Sequence, residues 1–104
     1  VEEFKKFREK LKELFPNVYK KAELKIFGDG CQVYKIKGVD ETRNIMIMSH
    51  HDVVSANEKW EQEPFGGEII NGKLWGRGTV DTKTSFYAEL KAMDELLKKG
   101  LCLK

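Results

Sequence analysis

The sequence contains no apolar run approaching the roughly 18 residues that a membrane-spanning helix needs, so no membrane span is expected. It lacks an excess of either charge. Nineteen basic residues face seventeen acidic ones, for a net charge of +2. No basic stripe with interleaved aromatics stands out, so nucleic acid is not an expected partner. Cysteine is scarce: Cys31 and Cys102 are far apart, with no C-x-x-C and no framework spacing. Two ordinary thiols suit a reducing compartment, and a cytoplasmic location is the expectation. No repeat, low-complexity tract, signal peptide or transit pattern is present. The first residue is Val1 rather than Met, so the natural N-terminus is expected to be trimmed or to lie upstream.

What is there amounts to one domain or a piece of one: 104 residues, 40% of them hydrophobic, too rich in aromatic and β-branched types for disorder. Residues 1–15 carry Phe4, Phe7, Leu11, Leu14 and Phe15 at helical spacing, and Pro16-Asn17 is expected to end that helix. Residues 21–27 and 31–37 alternate around Gly28-Asp29-Gly30, a hairpin signal. Asn44 to Ser49 is almost continuously apolar (Ile45, Met46, Ile47, Met48), which suits a strand buried on both faces. A polar loop follows from about Ser55 to Gly66, with Trp60, Pro64 and Phe65 expected to pin it to the core and Glu58, Glu61 and Glu63 to form a solvated face. Residues 67–75 read as a second hairpin around Asn71-Gly72. A helix is expected from about Thr82 to Lys99, its buried stripe Phe86, Leu90, Met93 and Leu97, with Gly100 as its stop. Leu101 to Lys104 is placed at the start of a further strand.

The chemistry gathers at two points where an apolar run gives way to a polar loop. The first is Ser49-His50-His51-Asp52-Val53-Val54. On an extended backbone His50 and Asp52 face one way and His51 the other. Either both bind a metal, or Asp52 takes the outer imidazole N–H and leaves the other nitrogen for a cation. A satisfied structural histidine is the competing reading for His50, and the preferred one for His51. The second point is Gly76-Arg77-Gly78-Thr79-Val80-Asp81. It lacks G-x-G-x-x-G and G-K-[ST], so its likeness to a phosphate loop is superficial. A sharp bend that projects Asp81 at a helix start fits better. There the carboxylate serves either a metal or the free helix N–H groups. Arg77 is expected to pair with a carboxylate and brace the turn, and Lys83 to be a solvated or bracing charge.

Together these residues resemble the metallopeptidase and amidohydrolase family of carboxypeptidase S-like enzymes, acetylornithine deacetylase, succinyl-diaminopimelate desuccinylase and the aminoacylases. The family pattern runs His-x-Asp-Val-Val-Pro, Trp, Pro-Phe, Gly, then Gly-Arg-Gly-x-x-Asp-x-Lys. It is matched by His50-His51-Asp52-Val53-Val54, Trp60, Pro64-Phe65, Gly72 and Gly76 to Lys83, in order and in register. Ser55 replaces the family's Pro, and Thr82 replaces a second Asp found in many relatives. The resemblance covers about residues 44–99, and the opening helix and hairpin fit the start of the same domain.

The resemblance implies an α/β fold of zinc-exopeptidase type, three-layered, with a mixed sheet and flanking helices. It implies a two-zinc hydrolase of peptide or N-acyl amino acid bonds, with cobalt or manganese as substitutes. His50 would bind one zinc, Asp81 would bridge both, and Asp52 would be the catalytic residue that orients His50 and tunes the site. A downstream Glu-Glu pair, a further Asp or Glu and a distant His complete the site in the family. An inserted smaller domain there supports dimerisation, so a homodimer is implied for the full-length protein. Residues 1–104 are therefore expected to be the N-terminal part of a catalytic domain, inactive alone and weak in zinc binding. A non-enzymatic α/β binding module and a structural metal-binding scaffold are the rival readings.

Overall fold

The computed structural model describes residues 2–104. Helices α1 (Glu2–Leu14) and α2 (Pro16–Lys21) lead into strands β1 (Glu23–Phe27) and β2 (Cys31–Lys35). Strands β3 (Ile69–Ile70) and β4 (Lys73–Leu74) follow, then a wound segment at Thr79–Lys83 and helix α3 (Thr84–Lys98). The protein is a small α/β structure with two separate two-stranded antiparallel sheets. It divides into two compact units, one of residues up to 45 and from 90 onward, the other of residues 46–89.

In the first unit the helical spacing of apolar residues runs straight through a backbone break. Leu11, Phe15 and Val18 are its fully buried apolar side chains, at i, i+4 and i+7. Helix α1 ends at Leu14, as the sequence suggests, and a second helix begins at Pro16. The Pro16 ring disfavours the α-helical conformation at the residue before it, and Phe15 sits at φ −127°, but a proline is well placed at the first position of a new helix. The result is two short helices that share one apolar stripe. The β1–β2 hairpin pairs Glu23 with Lys35 through Phe27 with Cys31, and Gly28 turns it at φ 57°. Tyr19 and Tyr34 meet edge to face, their hydroxyls 2.7 Å apart, and the Tyr34 hydroxyl donates to Gln32 at 3.0 Å. Burial first, then the Tyr19 hydroxyl, holds the Tyr34 phenol well above its ordinary pKa.

Helix α2 begins without a cap of its own, because Phe15 has no side-chain acceptor to offer. Asp94 of α3, only 4% exposed, supplies it. Its Oδ1 accepts the Asn17 and Val18 backbone N–H groups at 2.7 and 3.0 Å, and its Oδ2 accepts the Asn17 side-chain amide at 3.0 Å. A buried carboxylate at a helix N-terminus is thus both hydrogen-bonded and favourably placed in the helix field. Phe86, Leu90, Met93 and Leu97, the expected stripe of α3, are half-buried.

In the second unit, Asn71 (φ 50°) and Gly72 (φ 72°) form the tight turn between β3 and β4, both in the left-handed region that such a hairpin needs. Two sequence expectations fail here. Residues 44–49 form no strand among the described residues, and Ile45 is 93% and Met46 84% exposed. A strand exists only through hydrogen bonds to a neighbour, and no neighbouring strand is present beside this run. Phe65 is exposed rather than pinned, while Trp60 and Pro64 are half-buried. Beyond α3, Leu101 to Lys104 form no strand, although the Leu103 carbonyl accepts the Val39 N–H at 2.9 Å. No described helix is long and apolar enough to cross a membrane.

Burial pushes the Asp94 carboxyl up, but the Asn17 side chain and the Val18 and Asn17 backbone amides outweigh it and hold the group below its ordinary range. A depressed folded pKa adds stability above the unfolded pKa and loses it as pH falls through the folded one. Asp94→Ala should therefore cost about 1–2 kcal/mol near neutral pH. Urea unfolding should show a constant gap to wild type between about pH 5 and 7, narrowing below about pH 4.

Candidate metal centre

The site lies wholly within the second unit and is built by one turn. Gly76 (φ 156°) and Gly78 (φ 84°) flank Arg77. A left-handed φ favours glycine at 78, and space demands it: a Cβ there would fall inside the Val53 methyl Cγ1. The backbone of the turn thus rests directly on the chain three residues after His50. From Gly78 the chain winds through a single wide turn, the Lys83 N–H donating to the Gly78 carbonyl at 2.9 Å. Thr79 Oγ1 donates to the Gly76 carbonyl at 2.9 Å, and the Thr84 hydroxyl donates to the Thr79 carbonyl. Asp81 (φ −114°, ψ 94°) and Thr82 leave helical geometry inside this turn, and the peptide bond between them is cis. Asp81 therefore sits three residues ahead of α3, off the position from which a carboxylate caps a helix.

The turn brings Asp81 to His50, thirty-one positions earlier in the chain: Asp81 Oδ1 lies 3.4 Å from His50 Nε2. The other ring nitrogen, Nδ1, is 3.0 Å from the Asp52 carbonyl oxygen and 3.3 Å from Asp52 Oδ1. The Asp52 carbonyl can only accept, so it is matched to a proton on Nδ1. Nε2 is the nitrogen that faces Asp81. His51 turns elsewhere and meets the Phe86 ring edge to face at 5.7 Å. The opposed facing of neighbouring side chains holds here although the segment is not part of a sheet.

A neutral imidazole nitrogen and a carboxylate oxygen are a chemically sound pair of donors for zinc. Two donors each about 2.0–2.1 Å from a tetrahedral ion stand roughly 3.3–3.4 Å apart, the separation seen here. The fit extends to this pair and no further. Among the described residues no three His, Cys, Asp or Glu side chains gather around a common point as metal ligands. The pair is also open: the Asp81 side chain is 89% exposed and that of His50 about half.

Around the donors lies a cleft of about 490 Å³, walled by Val53, Val54, Trp60, Leu74, Trp75 and Arg77. Arg77 is the carboxylate-paired brace that the sequence suggests, and Glu58 is its partner. Its guanidinium carbon lies 4.9 Å from the centre of the Trp60 ring, a cation–π contact. Glu58, expected to be merely solvated, has its carboxyl held below the usual range by its own backbone amide first, with Arg77 and Trp60 adding to the effect. Ser49 donates to Glu89 at 2.7 Å, tethering the residue before His50 to the first turns of α3. Sequence reading missed the Glu58 and Glu89 contacts, because neither residue has a periodic or motif signal and each works only through a distant partner.

Comparison with known proteins gives these residues a context. Residues 46–104 match the model of peptidase family M20/M25/M40. The chain is 43% identical over 101 residues to "Probable carboxypeptidase S-like 2" of Dictyostelium discoideum, covering 94% of this chain and 20% of that protein. It is 34% identical over 100 residues to "N-fatty-acyl-amino acid synthase/hydrolase PM20D1" of Xenopus tropicalis, covering 92% and 20%. It is 32% identical over 93 residues to "Carboxypeptidase S" of Saccharomyces cerevisiae, covering 83% and 16%. No solved structure matches the chain. The chain spans about a fifth of the length of these relatives, and the stretch the family model covers holds His50, Asp52, the glycine turn and Asp81. By that match the chain belongs to the M20/M25/M40 peptidase family.

Proposed function

We propose that residues 1–104 are the N-terminal part of the catalytic domain of a dinuclear zinc hydrolase that cleaves peptide or N-acyl amino acid amide bonds. The fold in that reading is the zinc-exopeptidase type, a three-layer α/β arrangement whose mixed sheet would include the run at 44–49. The observation that carries it is the convergence of His50 Nε2 and Asp81 Oδ1 at 3.4 Å, with Asp52 behind the imidazole. Membership of a peptidase family supports it, as do relatives named as carboxypeptidases and as N-fatty-acyl-amino acid synthase/hydrolases.

In this reading each residue has a distinct task. His50 offers Nε2 as a ligand. Asp52 holds the Nδ1 proton, which fixes the tautomer and strengthens the imidazole as a donor. Asp81 offers a carboxylate with two oxygens to share between two ions. Zinc, or cobalt or manganese in its place, would polarise the amide carbonyl and lower the pKa of the attacking water. The cleft beside the donors, aromatic and aliphatic along most of its wall, would receive the apolar part of an acyl or side-chain group. The chain alone holds two converging donors and Asp52 behind them, so by itself it binds zinc weakly and does not turn over substrate.

Two measurements test this. Calorimetric titration of the 104-residue chain should show weak zinc binding that His50→Ala and Asp81→Ala each abolish, with no release of amine from an N-acyl amino acid or a dipeptide. Tight binding with turnover by the chain alone would contradict the division of labour proposed here. Within the whole catalytic domain, His50→Ala and Asp81→Ala should each leave less than about one hundredth of the amide hydrolysis, and Asp52→Asn should lower it about 10–100-fold. Full hydrolysis in the His50→Ala enzyme would remove the proposal.

A further inference from the structure

We infer that Arg77 is a positioning residue that sets the spacing of His50 and Asp81, and so the affinity of that pair for a divalent cation; the inference rests on the metal reading above. Neither donor is held by burial, for both side chains reach well into solvent. Their spacing must come from the backbone that carries them. On one side that backbone is the Gly76-Arg77-Gly78 turn, whose two glycines give it little stiffness of its own. On the other it is the segment ending at Val53, against which Gly78 lies with no room for a Cβ.

Arg77 supplies the stiffness that the glycines lack. Its backbone N–H donates to the Pro64 carbonyl at 2.6 Å, its Nη2 pairs with Glu58, and its guanidinium covers Trp60. All three contacts end on one short stretch, residues 58–64. The turn is therefore clamped between that stretch and Val53, and Asp81 follows three residues after Gly78. If the clamp is released, the turn can lift from Val53 and carry Asp81 away from His50. A lysine at 77 keeps a charge for Glu58 but has no planar face to lay on Trp60, so it restores only part of the clamp.

The test is a zinc titration of the full chain, followed through the His50 ring signals by NMR. These report on the site itself and remain readable when binding is weak. Arg77→Ala should raise the zinc Kd about tenfold, and Arg77→Lys should fall between it and wild type. Amide signals of residues 2–45 and 90–104 should stay in place. Glu58→Gln, at the solvent-facing end of the clamp, should raise the Kd by less and serves if Arg77→Ala does not fold. A purely structural role would lower the Tm and leave the Kd unmoved. Wild-type Kd values in the folded Arg77→Ala and Glu58→Gln chains would overturn the inference while leaving the metal reading intact. If the His50 ring signals of the wild-type chain do not move on adding zinc, the metal reading fails and the inference falls with it.

Discussion

The close approach of Gly78 to Val53 is the constraint on which the site depends. It forces the turn before Asp81 against the segment after His50, leaving no space for a side chain between them. Everything else at the site refines that contact. The wide turn at Thr79–Lys83 aims Asp81, Asp52 orients the imidazole, and Arg77 holds the turn from the outside. Two polar groups distant in the chain thus come within 3.4 Å of each other with neither buried.

The two best-placed carboxylates of the protein show opposite uses of the same chemistry. Asp94 is buried, and its oxygens accept three hydrogen bonds that would otherwise be missing from the start of α2. Its charge is committed to the fold. Asp81 is exposed, and its neighbour is the Nε2 of His50. Its charge is available. The contrast separates an acid committed to the fold from one left open to solvent.

Much of this could be read from the sequence, and the rest could not for definable reasons. Local rules located both hairpins, since Gly28-Asp29-Gly30 and Asn71-Gly72 act on their own immediate backbone. The opening helix and the helix ending near Gly100 are legible in the same way, although Phe4 and Leu14 of the expected stripe are exposed. His50, Asp52 and Asp81 stood out because each sits where an apolar run meets a glycine-rich or polar loop. What failed was whatever depended on a distant partner. Residues 44–49 have strand composition, but a strand needs a neighbour to bond to. Pro16 is the stop it reads as for α1, but the second helix that starts on it, its amides donating to Asp94, has no local signal. Asp94 itself is a charge on a helix face, and nothing in its local pattern marks it as buried.

The apolar run at Ile45 to Met48 has a consequence of its own. Four consecutive water-averse side chains stand in solvent on a backbone whose amides and carbonyls have no ladder to join. Such a stretch is adhesive, because any extended segment that meets it gains both hydrogen bonds and dry surface. Until a strand is laid beside it, the same few residues that suit the middle of a sheet make this chain prone to clumping as its concentration rises.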